Sequence, residues 1–322
     1  MNTLTAKLLV GTLLLVGFAT RAAWSQDRSA RPGRVGAINY VEGQASIDTR
    51  TVTPDSVGSI VLDKDQTLTT QAGKVEILLT PGVFLRLADN SQVKMISPGL
   101  ADTQIELQKG RASVEVLDIH KENNIRINQD GASAKPLKNG LYEFDADHNQ
   151  VRVYKGKADV FVGNQKVSLG GEREVTLGAG GKLEAHNFDT RQYADDFYRW
   201  CGLRSAYLSE ATIDAAHVYI GVGPGWYGPG WVGPGWYWSP WFDVWTFLPS
   251  DGIYYSYFGW GFYSPIFVYS SPLFYYRYNR PHRFGEFHEP YGHGFEPPGG
   301  FRNGGHRGGF PGGGVRGGGH RR

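Results

Sequence analysis

Short runs in which apolar and polar residues alternate, each ended by a turn, constrain the fold of this chain more than any other feature. The clearest runs lie at residues 75–79, 83–87, 103–107, 151–154 and 174–177. Residues typical of turns separate them at 80–82, 88–91, 108–110 and 147–149. A period of two is typical of strands that bury one face. The sequence therefore predicts an all-β domain over residues 34–185.

A short internal repeat of the form charged-Gly-x-Ala-x-branched lies inside this region, at residues 42–47, 109–114 and 155–160. Each copy follows a β-run, so we predict a hairpin at each, in which Gly43, Gly110 and Gly156 adopt a positive φ. Stacked antiparallel hairpins bury the faces that single hairpins leave exposed. The predicted architecture is a sandwich or a short solenoid.

The first 25 residues have the pattern of a signal peptide. Lys7 supplies a positive charge, residues 8–19 form an apolar run, and Ala23 and Ser25 precede a cut before Gln26. Retention of the apolar run as an anchor is the alternative. We expect an exported protein, in the periplasm or on the surface of a Gram-negative-type bacterium, with no transmembrane helix in the mature chain. The sequence holds a single cysteine, so no disulfide framework is expected.

The order of the β-runs resembles the FecR domain family. The resemblance extends over residues 34–177 and is carried by 36–43, 68–70, 75–87, 105–110 and 151–156. It implies an envelope protein. Founding members of the family pass a signal from an outer-membrane siderophore receptor to a cytoplasmic sigma factor, through an N-terminal anti-sigma domain and a membrane span. This chain has the predicted signal peptide in the place of that domain and span.

A helical pattern follows at residues 189–217. Apolar side chains recur at spacings of three and four, which predicts one amphipathic helix with Asp189 or Thr190 as its N-cap. The stripe consists of Tyr193, Phe197, Trp200, Arg204, Tyr207, Leu208 and Ala211. We expect this helix to pack on the β-domain and close its edge. A membrane-surface helix fits less well, because the opposite face is acidic rather than basic.

Residues 221–280 are aromatic, rich in Gly and Pro and nearly uncharged, and they begin with three Gly-Pro-Gly-Trp units. Pro and Gly at this density exclude a helix, so we predict turns and loose extended segments, with irregular strands in the later part. Residues 281–322 are rich in Gly, Arg and His. They offer too little apolar surface for a core and are predicted to form a disordered tail.

Two interpretations of the aromatic segment are open. Its rings either pack onto the β-domain or form an exposed adhesive surface, because large exposed apolar patches usually mark interaction sites and aromatic rings provide broad contact area. For the second interpretation, the candidate ligand-binding residues are Trp226, Trp231, Trp236, Trp238 and Trp241.

No sequence motif for catalysis, cofactor binding or zinc binding is present. Residues 145–149 begin like a calcium loop, but Gln150 and Gly156 stand where that loop needs Gly and Glu. We therefore expect a non-enzymatic envelope protein without a cofactor or metal. Its expected partner is an envelope polysaccharide, peptidoglycan or an outer-membrane protein, and nucleic acid is not expected. The alternative is a periplasmic sensor module in FecR-type transmembrane signalling with an outer-membrane receptor.

Overall fold

The computed structural model describes residues 33–178, 182–220, 231 and 233–271. The predicted signal peptide (1–25), the predicted tail (281–322) and Trp226 lie outside these residues. The described strands are β1 (Ile38–Ile47), β2 (Arg50–Val52), β3 (Thr67–Leu78), β4 (Val83–Leu87), β5 (Gln92–Gly99), β6 (Asp102–Lys109), β7 (Arg111–Val116), β8 (Arg126–Gln129), β9 (Ala132–Pro136), β10 (Gly140–Asp145), β11 (Gln150–Lys155), β12 (Lys157–Val162), β13 (Gln165–Gly170), β14 (Arg173–Thr176), β15 (His186–Asn187), β16 (Gly235–Ser239), β17 (Val244–Leu248), β18 (Ile253–Tyr255) and β19 (Gly261–Tyr263). The described α-helices are α1 (Asp196–Ile220) and α2 (Pro265–Ser270).

One sheet contains β1 to β15, and its strand order is β13-β12-β9-β8-β6-β5-β3-β4-β7-β10-β11-β14-β15, with β1 beside β3 and β2 beside β1. The long strand β3 divides this sheet into two halves, because residues 67–69 pair with β5 and residues 75–78 pair with β4. Both halves contribute to one apolar core, for example Ile105 and Val160 from one half and Val114 and Phe144 from the other. The predicted all-β class with stacked antiparallel strands is confirmed.

The three repeats occupy the places where the chain bends between the two halves. Gly43, Gly110 and Gly156 have φ values of 70°, 73° and 107°, so the predicted positive φ is confirmed. The hairpin turns predicted at Gly110 and Gly156 are wrong, because β6 does not pair with β7 and β11 does not pair with β12. Gly43 lies inside β1, opposite Gly73 of β3, at a register shift. A glycine with positive φ serves a corner as well as a hairpin turn, so the motif could not distinguish them.

Helix α1 packs on the face of the half that contains β3, β4 and β7, rather than on an edge. It begins at Asp196, later than the predicted residue 189, and it continues to Ile220. Residues Thr190–Tyr193 form a short 3-10 turn instead, in which the Asp189 carboxylate accepts a hydrogen bond from Arg191 N at 3.0 Å. The described helices include none with the length and hydropathy needed to cross a membrane.

The aromatic segment forms two small hairpins, β16–β17 and β18–β19, which cover the same face beside α1. The rings of Trp236 and Phe262 lie 5.0 and 5.9 Å from the ring of Phe84 in β4. Gly235 and the two residues after it form the start of β16 rather than a loose turn. We call α1 together with β16–β19 and α2 the C-terminal cap, and the outward side of β3, β4, β7, β10 and β11 the covered face.

Candidate functional site

Three charged side chains lie side by side in the middle of the covered face. Glu76 of β3 and Arg86 of β4 are cross-strand partners, and Arg86 Nε donates to Glu76 Oε2 at 2.8 Å. Arg86 Nη1 donates to Glu115 Oε2 of β7 at 2.7 Å. All three side chains have an exposure of 0 %. Alternation explains their direction, since Val75, Ile77, Leu85 and Leu87 occupy the positions between them and point into the common core.

The C-terminal cap completes this group. Arg204 Nη2 of α1 donates to Glu76 Oε1 at 2.9 Å, and the neighbouring Ser205 hydroxyl donates to the Glu115 carboxylate. From the second hairpin, the backbone N–H of Tyr257 donates to Glu115 Oε1 at 3.1 Å. Two carboxylates and two guanidinium groups therefore balance in a buried charge cluster of Glu76, Arg86, Glu115 and Arg204. The cluster joins three strands of the sheet to the cap.

Electrostatic interactions in the cluster favour the charged forms of Glu76 and Arg86. Burial alone would raise the pKa of Glu76, but the charges of Arg204 and Arg86 hold that pKa below its ordinary value of 4.5. Burial alone would lower the pKa of Arg86, and Glu115 and Glu76 raise it instead. Arg204 is also enclosed by two rings, with its Cζ 4.1 Å from the Tyr40 centroid and 5.0 Å from that of Tyr207.

Asn39 of β1 links the cluster to the first aromatic hairpin. Its amide nitrogen donates to Glu76 Oε1 at 3.0 Å and to the carbonyl oxygen of Trp245 at 2.9 Å, while its amide oxygen accepts from Trp245 N at 2.8 Å. The side chain of Asn39 has an exposure of 0 %. A buried amide that satisfies both backbone groups of one strand residue fixes β17 against the sheet.

A second charged group continues the covered face toward the start of α1. Glu143 of β10 accepts from Arg152 Nη1 at 2.8 Å and from Arg111 Nη2 at 3.1 Å. Arg111 Nη1 also donates to Asp195, which precedes α1. Burial raises the pKa of Glu143 despite the charges of Arg111 and Arg152. The covered face is thus charged over five neighbouring strands, β3, β4, β7, β10 and β11.

An open groove of about 720 Å³ lies beside this group, where the chain bends at Gly43, Gly73 and Gly110. We call it the corner groove. Its charged lining residues are Glu42, Lys74, Asp89, Arg111, Asp147, Asp195 and Asp196. These carboxylates have hydrogen-bond partners: for example, Glu42 Oε2 accepts from Trp200 Nε1 at 2.9 Å, and Asp147 Oδ1 accepts from Gly110 N at 3.0 Å. The groove is therefore a mainly acidic surface.

The structure does not bring the five candidate tryptophans together. Trp236 and Trp238 are buried, with exposures of 7 % and 3 %, so the interpretation of these two rings as exposed stacking residues is wrong. They are buried because β16 has a covering layer on both faces, the sheet on one and α1 with α2 on the other. Trp231 is partly buried beside the cap's own apolar cluster. Trp241 has an exposure of 66 %, and Trp226 lies outside the described residues.

Trp241 precedes Phe242, which contacts Tyr207 of α1, and α1 has two exposed apolar side chains. Leu203 has an exposure of 64 % and Tyr207 one of 38 %. The Tyr207 hydroxyl donates to the carbonyl oxygen of Phe242 at 2.9 Å, and their rings lie 5.1 Å apart. We call Leu203, Tyr207, Trp241 and Phe242 the exposed patch.

Sequence reasoning did not find the buried charge cluster. Its residues stand at alternate positions in strands, where a charge normally indicates a wetted face. One signal was present, because Arg204 lies within the apolar stripe of the predicted helix. A charge at such a position needs a buried partner, and Glu76 and Glu115 are the acidic residues at outward positions of the neighbouring strands.

The charged groups of the covered face make ion pairs and hydrogen bonds. Within the described residues, no three His, Cys, Asp or Glu side chains are placed to hold a metal ion. Burial raises the pKa of the Cys201 thiol to about 12, so this thiol is not a nucleophile at neutral pH. That the protein is not an enzyme stays a prediction.

Comparison with protein families shows a match to the family described as FecR protein over residues 65–159. These residues run from the start of β3 to the start of β12 and contain Glu76, Arg86, Glu115 and Glu143. The predicted resemblance to the FecR domain is confirmed there.

Among solved structures, two crystal structures of a protein described as an anti-sigma factor from Parabacteroides distasonis ATCC 8503 match with 16 % and 15 % identity and TM-scores of 0.34 and 0.35. The matches cover 39 % and 40 % of this chain and 61 % and 62 % of those chains. No curated protein matches.

Proposed function

We propose that this chain is a non-enzymatic protein of the bacterial envelope, whose FecR-like β-domain binds a protein partner such as an outer-membrane receptor. The observation that carries the proposal is the family match over residues 65–159. That region builds the floor of the corner groove and most of the covered face, the two surfaces with fixed polar groups. Export through the signal peptide at residues 1–25 is part of the proposal.

The β-domain also offers an edge for strand addition, outside the residues of the family match. In the described sheet, β13 stands at one end of the strand order and pairs with β12 alone. Strand addition to a free edge is a common mode of protein recognition, in which backbone hydrogen bonds supply the affinity. The corner groove and the β13 edge are the two surfaces that a receptor segment would contact.

A second candidate function is binding of an envelope polysaccharide or peptidoglycan through the exposed patch. It is favoured by the exposure of Trp241, since an exposed aromatic ring offers a large apolar contact area. Trp236 and Trp238 take no part in this version of the proposal, because their rings lie in the core.

Photo-crosslinking in the native bacterium tests both functions. A photo-reactive amino acid replaces Lys74 or Asp89 in the corner groove, Lys166 in β13, or Trp241 in the exposed patch, one position per strain. Asp55, an exposed residue of a 3-10 turn outside these surfaces, is the control position. Cells are fractionated, and adducts are identified by mass spectrometry.

The proposal expects an adduct with one outer-membrane protein from Lys74, Asp89 or Lys166 and none from Asp55. Adducts that contain sugar polymer and arise from Trp241 alone would favour the second function. Recovery of the chain in the cytoplasmic fraction, or equal adducts from all five positions, would contradict both.

A further inference from the structure

The covered face has the residue pattern of a solvated sheet surface, although it is buried. Antiparallel strands with one wet face alternate apolar and polar residues, and Glu76, Arg86, Ser113 and Glu115 follow that rule at outward positions. Their exposures are nevertheless 4 % or less. A permanently buried face gains little from paired charges, because apolar residues of similar volume usually stabilise a core as well or better. The pattern is that of a surface that meets a polar partner.

The cap supplies the groups that this face lacks. On the sheet itself, Glu76 and Glu115 share the single guanidinium of Arg86. Helix α1 adds Arg204 to Glu76 and the hydroxyl of Ser205 to Glu115. Consecutive positions on one helix thus provide a cation for one carboxylate and a hydrogen-bond donor for the other.

We propose that the covered face is a binding surface for an amphipathic helix that presents an arginine followed by a hydroxyl residue, and that α1 is its resident occupant. A protein partner with such a helix binds by taking the place of α1. The inference rests on the proposed function only for the existence of an external partner. The resident helix and its fit to the sheet are properties of this chain alone.

The cap contains an apolar cluster of its own, apart from the core that Leu208, Trp236 and Phe247 share with the sheet. Ala215, Ala216 and Tyr219 of α1 pack with Tyr237, Leu248, Tyr263 and Val268 of the hairpins and α2. This cluster contains no buried residue of the sheet. The charged contacts of Arg204 and Ser205 lie in the first half of α1, whereas these cap contacts lie in its second half. Release of the first half from the sheet therefore leaves the cap cluster intact.

A copy of α1 supplied in trans is the probe. We would use a fluorescent peptide with the sequence of the 25 residues of α1 and the substitution Cys201→Ser. Its binding to the full-length protein is measured by anisotropy for wild type, for Arg204→Ala, which weakens the resident contact, and for Arg199→Ala. Arg199 lies on the same helix and pairs with the exposed Asp196 at 3.0 Å, so its substitution is the matched control.

The apparent affinity of a ligand is proportional to the fraction of protein whose site is open. A weakened resident helix increases that fraction and should therefore increase the affinity for the peptide. We expect the peptide to bind the Arg204→Ala protein at least about tenfold more tightly than wild type or Arg199→Ala. A peptide that itself carries Arg204→Ala should lose this gain. Equal binding to all three proteins, or binding to none, would overturn the proposal.

The buried thiol of Cys201 gives a second measurement that needs no ligand. Cys201 has an exposure of 1 % and hydrogen-bonds Ser113 of the sheet, so it reacts only when α1 leaves the face. We expect labelling by a thiol reagent to be about tenfold faster in Arg204→Ala than in Arg199→Ala, with a weaker urea dependence than global unfolding.

Labelling that follows global unfolding in every variant would contradict release of the cap. Should Arg204→Ala fail to fold, Ser205→Ala replaces it in both measurements. If the peptide binds as expected and photo-crosslinking captures no partner, the proposed function fails while the resident helix stands.

Discussion

At the scale of single residues, Arg86 decides whether the covered face is stable. It is fully buried and serves both Glu76 and Glu115. Removing one member of a buried ion pair leaves an uncompensated charge, which costs about 3–5 kcal/mol. We therefore expect Arg86→Met to lower the free energy of unfolding by about that amount. Arg199→Met removes an exposed pair and should cost about 0–1 kcal/mol. Urea denaturation followed by circular dichroism measures the free energy of unfolding of both variants. Equal decreases would show that the buried cluster contributes no more than an exposed ion pair.

The depressed pKa of Glu76 makes part of the stability depend on pH. The pKa lies lower in the folded state than the ordinary value of 4.5, so the unfolded state binds more protons in that range. Stability from this group is present above pH 4.5 and is lost as the pH falls through the folded pKa. We expect Glu76→Gln to flatten the pH dependence of the melting temperature below pH 4.5. An unchanged slope in the variant would mean that other carboxylates govern acid unfolding.

At the scale of elements, the glycine corners hold the two halves of the sheet in register. A Cβ on Gly110 would lie 2.3 Å from Ser91 Oγ and 2.7 Å from Ser91 Cα, and φ is +73°. Gly131 has almost the same φ, +71°, but a Cβ there would meet no atom within 4 Å. Gly110→Ala and Gly131→Ala both place a Cβ at a residue with positive φ, which costs about 1–2 kcal/mol. Gly110→Ala alone also introduces a steric clash.

We expect Gly110→Ala to lower the free energy of unfolding by at least about 1 kcal/mol more than Gly131→Ala, since overpacking of a tight site costs about 1–3 kcal/mol. Chemical denaturation of the two variants beside wild type measures this difference. Equal costs would mean that the corner relaxes and that Gly110 is required for its φ alone.

The strands and the long helix could be predicted because their periodicity is local. The alternation around Val75 and Val151 and the spacing from Phe197 to Ala211 each specify one buried side, which is a property of the segment itself. Whether the outward side is exposed or buried is not determined by the segment itself. Glu76 and Arg86 occupy wetted positions by pattern, and only the cap, more than 100 residues later in the chain, buries them.

The same reasoning explains why the aromatic segment was difficult. Gly-Pro-Gly spacers predict turns, but Gly235 and Trp236 lie in β16 because the covered face offers an apolar end at Phe84 on which a strand can pack. A tertiary contact here overrides local preference. Of the candidate tryptophans, Trp241 alone stands at a described turn, between β16 and β17, and is the most exposed.

At the scale of the whole molecule, sheet and cap form one folded unit through contacts far apart in sequence. Hydrogen bonds join Asn39 to Trp245, Glu76 to Arg204, and Glu115 to Tyr257. Contacts over such separations require the closure of long loops, which costs chain entropy. In our proposal, the equilibrium between the closed and the released cap determines whether the covered face can bind a partner.

A disulfide between sheet and cap would hold the cap in its closed position. Ser113 of β7 and Cys201 of α1 are in hydrogen-bond contact, and Cys201 is the single cysteine of the chain. Ser113→Cys places a second thiol opposite it. We expect oxidation to join the two, to raise the free energy of unfolding by about 2–4 kcal/mol and to abolish binding of the α1 peptide, with both effects reversed by reductant.

Thiol titration, thermal melting and peptide anisotropy measure these three effects on one protein, with Ser168→Cys on the exposed side of β13 as the control. A crosslinked protein that still binds the α1 peptide would place the peptide on some other surface. A crosslink that forms without raising stability would mean that the disulfide strains the folded state. Loss of peptide binding together with a gain in stability would show that cap closure and occupation of the covered face are the same event.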